Sequence, residues 1–123
     1  MNTQNNLQQL PPHQRYLYFI KTLAETGELW TLIDENGNFA LFEVEHTTVL
    51  SFWPEEHFIE SNLTVDWQDY IPFKLDLDAL EETVIPFMRQ NKYLVNIFPV
   101  NSRTGHILPL NDFVNDFNNQ LEH

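Results

Sequence analysis

Cysteine is absent from this 123-residue chain, which also has only three glycines and six basic side chains. Without a thiol there is no disulfide framework, no Cys-ligated zinc and no cysteine nucleophile. With Gly27, Gly37 and Gly105 far apart, no loop has the glycine run that wraps a phosphate with backbone N–H groups. Arg15, Lys21, Lys74, Arg89, Lys92 and Arg103 are scattered against 18 carboxylates, for a formal net charge of −12. Nucleic acid and anionic membranes are bound through concentrated Lys and Arg, so neither is an expected partner. No apolar run approaches the ~20 residues of a membrane helix. The first nine residues lack the basic-then-apolar pattern of a secretory leader. These absences together predict a cytoplasmic protein.

What is present is a core former. Hydrophobic residues make up 42% of the chain and aromatics 14%, including 10 Phe and 3 Trp. A single domain of this length buries roughly two-thirds of its unfolded surface without help from metal or disulfide. Residues 1–9 are rich in Asn and Gln and predict a disordered polar tail. Residues 10–120 form the domain. Leu121, Glu122 and His123 resemble the start of an expression tag.

Tyr16, Phe19, Ile20, Leu23 and Ala24 follow helical spacing, and Gly27 stands where a left-handed cap ends a helix. Leu29–Ile33, Asn36-Gly37 and Phe39–Phe42 predict a hairpin. A two-residue turn there pairs Leu29 with Val44 and Thr31 with Phe42. Thr47–Phe52 gives a third strand, joined through Glu45-His46. Pro54 and Glu55-Glu56 open a short helix to about Glu60. Residues 61–70 read as an irregular loop, and Pro72 confines Ile71–Leu75 to a sheet edge.

Asp76 is a candidate cap for a helix carrying Leu77, Leu80, Val84, Phe87 and Met88 on one face. Pro86 kinks or restarts that helix. Tyr93–Phe98 and His106–Leu108 predict a second hairpin. A last helix starts with Asn111 as its cap and turns Phe113, Val114 and Phe117 inward. The fold class is α+β, a mostly antiparallel sheet with packed helices, in the order α-β-β-β-α-(β)-α-β-β-α.

Chemistry is sparse. His13, His46, His57 and His106 lie far apart. His57 and Glu60 share one helical turn with Glu56 adjacent, which does not complete a metal site. Glu55-Glu56, Glu81-Glu82 and Asp76/Asp78 sit near helix starts, where solvated carboxylates favour the helix dipole. No serine lies in a Gly-x-Ser-x-Gly elbow. No catalytic, cofactor or metal residue is therefore assigned. Trp30, Trp53 and Trp67 are large enough to anchor a partner, with core packing as the plainer role for the first two. Trp53, Glu55, Glu56, His57 and Trp67 are the candidate partner-binding residues.

Arg15-Tyr16-Leu17-Tyr18-Phe19-Ile20-Lys21, Glu28-Leu29-Trp30-Thr31-Leu32, Phe52-Trp53-Pro54, the Pro86-broken helix and Asn96-Ile97-Phe98-Pro99 occur in that order. Taken together, they resemble a set of small bacterial proteins, domain-of-unknown-function family 2750. The resemblance runs from Gln14 to about Phe117. The chain departs from it after Pro99, where fewer glycines follow, and at the last helix, which lacks Ser-Pro. The family carries no assigned activity, so the resemblance transfers no functional residue.

The composite expectation is a non-enzymatic protein-binding domain whose acidic surface holds a basic partner, an inhibitor of a basic toxin being one form. The alternative is an enzyme or small-ligand carrier with a His- and carboxylate-lined aromatic pocket. Homo-oligomerisation stays open.

Overall fold

The computed structural model describes residues 7–60, 69–100 and 104–122. Its first long element, α1 (Pro12–Thr26), starts where the sequence places two prolines. Pro11 is the cap and Pro12 opens the first turn, where a missing N–H costs nothing. Gly27, at φ 70°, ends it by donating to Leu23 O. Residues 7–9 are helical and Leu7 packs against the core. The expected disordered tail is thereby corrected for its last three residues, because Leu7 has an apolar surface to cover; residues 1–6 lie outside the description.

Strands β1 (Glu28–Ile33), β2 (Leu41–Val44) and β3 (Thr47–Phe52) follow, then the short α2 (Glu56–Glu60) and β4 (Ile71–Asp76). The chain continues through α3 (Leu77–Ala79), a π-helical turn (Leu80–Val84) and α4 (Ile85–Asn91). It closes with β5 (Leu94–Ile97), β6 (His106–Leu108) and α5 (Leu110–Leu121). β1 and β4 form an antiparallel pair, and the other four strands run in the order β2-β3-β5-β6, with β3 and β5 parallel. Among the described residues one bridge joins the two sheets: Trp30 and Trp53 exchange both backbone hydrogen bonds, at 2.9 and 2.8 Å.

The tight hairpin turn does not fall where the sequence suggests it. Asn36-Gly37 does not make a two-residue turn. Asp34 pairs with Asn38, Gly37 N donates to Asp34 O, and Gly37 takes φ 84°, which is a three-residue loop. The Asp34 carboxylate accepts from Asn36 N and Asn38 N and holds that geometry. Ile33 therefore faces Phe39, one residue out of the expected register, and β1 leaves β2 to pair with β4. The tight turn is Glu45-His46, both at positive φ, with Val44 opposite Thr47.

Pro72 lies on the edge, and the pairing pattern explains why it is tolerated. Trp30 and Leu32 direct their backbone groups towards Trp53 and Ala40. Thr31 and its alternate neighbours therefore face β4, so Pro72, Lys74 and Asp76 turn theirs away from β1. A residue without an N–H loses nothing there.

Pro86 stands in the first turn of a restarted α-helix, as one of the two expected outcomes has it, but the restart runs on from a π turn without a break in the helical path. The preceding turn widens to a π geometry in which Ile85 N donates to Leu80 O, and α4 continues with Pro86 in its first turn. That widening absorbs the donor the ring removes. Asp76 caps α3 as expected, accepting from Ala79 N at 2.7 Å. Asn111 is not a cap: Pro109 precedes α5, and the Asn111 side chain accepts from Arg89 instead.

α1 and α5 pack on each other and across β5 and β6. Between them Phe113 meets Phe19 and stacks on Phe52, all three fully buried or nearly so. Each such ring contributes roughly 1.5–3 kcal/mol relative to exposure.

Candidate functional site

Trp53 does not reach the surface. Its ring is fully buried, and its indole Nε1 donates to Pro99 O at 2.9 Å. This corrects its place among the candidate anchors: its backbone joins the two sheets, and its side chain clamps the strand-end segment after β5. Arg15, also buried, donates from Nε to Phe98 O and from a terminal nitrogen to Leu10 O. Phe98 N donates to Phe52 O. Arg15, Phe52, Trp53, Phe98 and Pro99, from three of the segments that carry the family resemblance, thus meet at one structural joint.

Glu55, Glu56 and His57 stand at the start of α2. Glu56 is exposed, and His57 Nε2 lies 3.3 Å from Glu55 Oε2, with the two side chains 36% and 43% exposed. The imidazole rests on Phe58, ring centres 4.2 Å apart. Trp67 lies outside the described residues. The charge of Glu55 reaches Tyr18 on α1, whose hydroxyl is held above its ordinary range first by burial, then by Glu55 and Glu25, against a hydrogen bond with Thr22.

On the other flank of α1 the fold gathers four groups from three separate elements. Tyr16 OH donates to Asp116 Oδ2 on α5 at 2.6 Å. His106, from β6, lies over the Tyr16 ring at 4.6 Å, and His13 meets His106 edge-on at 5.6 Å. Burial pushes Tyr16 far above the usual tyrosine range, with the Asp116 hydrogen bond and the charges of Asp116 and Asp112 adding to it. His106 is depressed, first by burial and then by His13, with Asp116 opposing. Sequence reasoning missed this cluster. The available signal was His13 and Tyr16 one turn apart on α1; nothing local ties either to Asp116, a hundred residues on.

A groove of about 310 Å³ opens beside the cluster, lined by His13, Tyr16, Leu17, Ile20, Asp116, Asn119 and Gln120. Leu17 is 53% exposed at its edge. The outer face of α1 is therefore a ridge of His13, Gln14, Leu17 and Lys21 between two acidic flanks, Glu55 just before α2 and Asp112/Asp116 on α5. Among the described residues no group of three or more His, Asp or Glu side chains is arranged to hold a metal ion. No described helix is long and apolar enough to cross a membrane.

The sequence pattern of the family described as "Protein of unknown function (DUF2750)" matches residues 16–117. No curated protein matches the chain.

Proposed function

Starting from a chain that belongs to the DUF2750 family of proteins of unknown function, we propose a non-enzymatic protein-binding domain of the cytoplasm that meets a basic partner through its acidic surface. One observation carries this reading. Among the described residues the ion pairs are Lys74–Glu28 and His57–Glu55, so Asp112 and Asp116 on the α5 flank of α1 keep their charge for something outside the chain, while Glu55 on the other flank meets His57. A surplus of one sign steers an oppositely charged protein and fixes its orientation. Leu17 supplies an apolar contact at the centre of that ridge. Inhibition of a basic toxin is one form such binding takes.

The alternative, an enzyme or ligand carrier, calls for an acid and an imidazole sequestered together. Glu55 and His57 are paired with more than a third of each side chain exposed, although the Nε2 atom itself is covered; the carboxylate is not sequestered, which favours the binding reading. Affinity capture from the native cells tests it, using the chain alongside a Glu55→Lys/Glu56→Lys variant and Trp67→Ala. The expected result is a stoichiometric basic partner that the charge-reversed variant loses. Failure to capture any specific partner across several growth conditions contradicts the proposal.

A further inference from the structure

The groove between α1 and α5 has a more particular chemistry than a general acidic surface. Its single carboxylate, Asp116, is oriented by the Tyr16 hydroxyl through Oδ2. Among the described residues no donor meets its other oxygen. Rings line the wall near it: His13 is exposed on α1, edge-on to His106, which lies tilted over the Tyr16 ring behind. Leu17 and Ile20 form an apolar side, while Asn119 and Gln120 add side-chain amides to the lining. The volume of about 310 Å³ is that of a site for one long side chain, at the small end of ligand pockets.

We propose that this groove receives an arginine side chain of the basic partner, with Asp116 as its counter-ion; this rests on the reading above and locates its anchor. The methylene stem lies against Leu17 and Ile20, as long cationic side chains cover apolar surface. The planar guanidinium stacks on imidazole and reaches both the free carboxylate oxygen and the side-chain amides. Lysine, a compact ammonium without a flat face, matches only the charge. His106 strengthens the match, because its depressed protonation keeps a competing cation from forming behind Asp116.

The test is a ¹⁵N–¹H titration of the whole chain with a capped arginine tripeptide and a capped lysine tripeptide of equal charge. Saturable shifts at His13, Tyr16, Leu17, Asn119 and Gln120 are expected, stronger with arginine. Asp116→Asn keeps an acceptor for Tyr16 OH and is expected to weaken arginine binding roughly tenfold, the size of one charge-assisted hydrogen bond. Asn119→Lys, an exposed change that leaves the packing alone, puts a competing cation in the lining and is expected to abolish it. Shifts spread over other carboxylates and indifferent to both variants overturn the groove, as does the absence of saturable shifts. Either outcome leaves the acidic-surface reading to the captured partner, which sinks separately if that partner proves not to be basic.

Discussion

Phe98 holds φ 60°, a conformation that a bulky side chain rarely adopts. Such a residue costs about 1–3 kcal/mol and persists only where its surroundings over-determine it. Here Phe52 O, Arg15 Nε and the Trp53 indole, through the next residue, fix the segment from three sides. Beside it runs a buried polar chain: Thr31 Oγ1 donates to Ser51 O, Asn96 Nδ2 to Ser51 Oγ, and Gly105 N to Asn96 Oδ1. Asn96→Leu is expected to cost about 1–3 kcal/mol by leaving the Gly105 N–H and the Ser51 hydroxyl without that partner, read by denaturant unfolding; an unchanged midpoint contradicts it. Gly105 has a different constraint. A Cβ there falls 1.9 Å from Ile97 O, so Gly105→Ala must displace backbone and is expected to destabilise by ~1–3 kcal/mol or more. Wild-type stability in that variant contradicts the close approach. The sequence shows Asn96 inside its best strand and Gly105 near a turn, but a buried amide's partners come from other strands, and no local pattern announces them.

At the scale of elements, most of the fold is legible where periodicity is strong. α1, β1, β3, β5 and α5 follow from apolar spacing and from Gly27, because one buried face dictates each. The misreadings fall on turns and pairings. Asn36-Gly37 suits a tight hairpin, yet Asp34 offers its carboxylate to two backbone N–H groups and selects the longer loop. That one-residue shift sets Ile33 opposite Phe39, and β4 takes the place beside β1 that β2 was expected to hold. Pro72 marks the outward edge of β4, with the exposed Ile71 and Phe73 on either side of it. Pro72→Val restores a donor on that edge and is expected to produce concentration-dependent self-association by sedimentation; a strictly monomeric variant at high concentration contradicts the edge assignment.

The α1–α5 seam makes its own prediction. His106 is neutral-favouring in the folded state and titrates lower than in the unfolded chain, so the unfolded state binds the proton more readily. Its contribution to stability is present above about pH 6.5, the unfolded value, and is lost as pH falls through the lowered folded value. The titratable groups facing it are His13, Tyr16 and Asp116. Thermal unfolding from pH 7.5 to pH 5 (about one unit above and 1.5 below that reference) is expected to show a fall that His106→Gln reduces. Equal slopes in both proteins contradict it.

The whole molecule is a net −12 chain whose aromatic core absorbs Trp53 and most of the phenylalanines, leaving its surface to carboxylates. Composition alone makes the acidity and the missing chemistry of thiols and phosphate loops readable. It does not reveal that charge flanks α1 on both sides, since that depends on α2 and α5 reaching the same helix from distant parts of the sequence. The candidate site was half legible for the same reason: Glu55 and Glu56 lie beside each other in the chain, whereas Tyr16 and Asp116 meet only in the fold. The central claim is that this surface recognises a basic protein by charge. Its most direct test is the affinity for the captured partner measured by calorimetry across a series of ionic strengths. The account predicts binding that weakens steadily as salt screens the two surfaces, and more weakly salt-dependent binding for Asp116→Asn. Affinity that is indifferent to salt contradicts it.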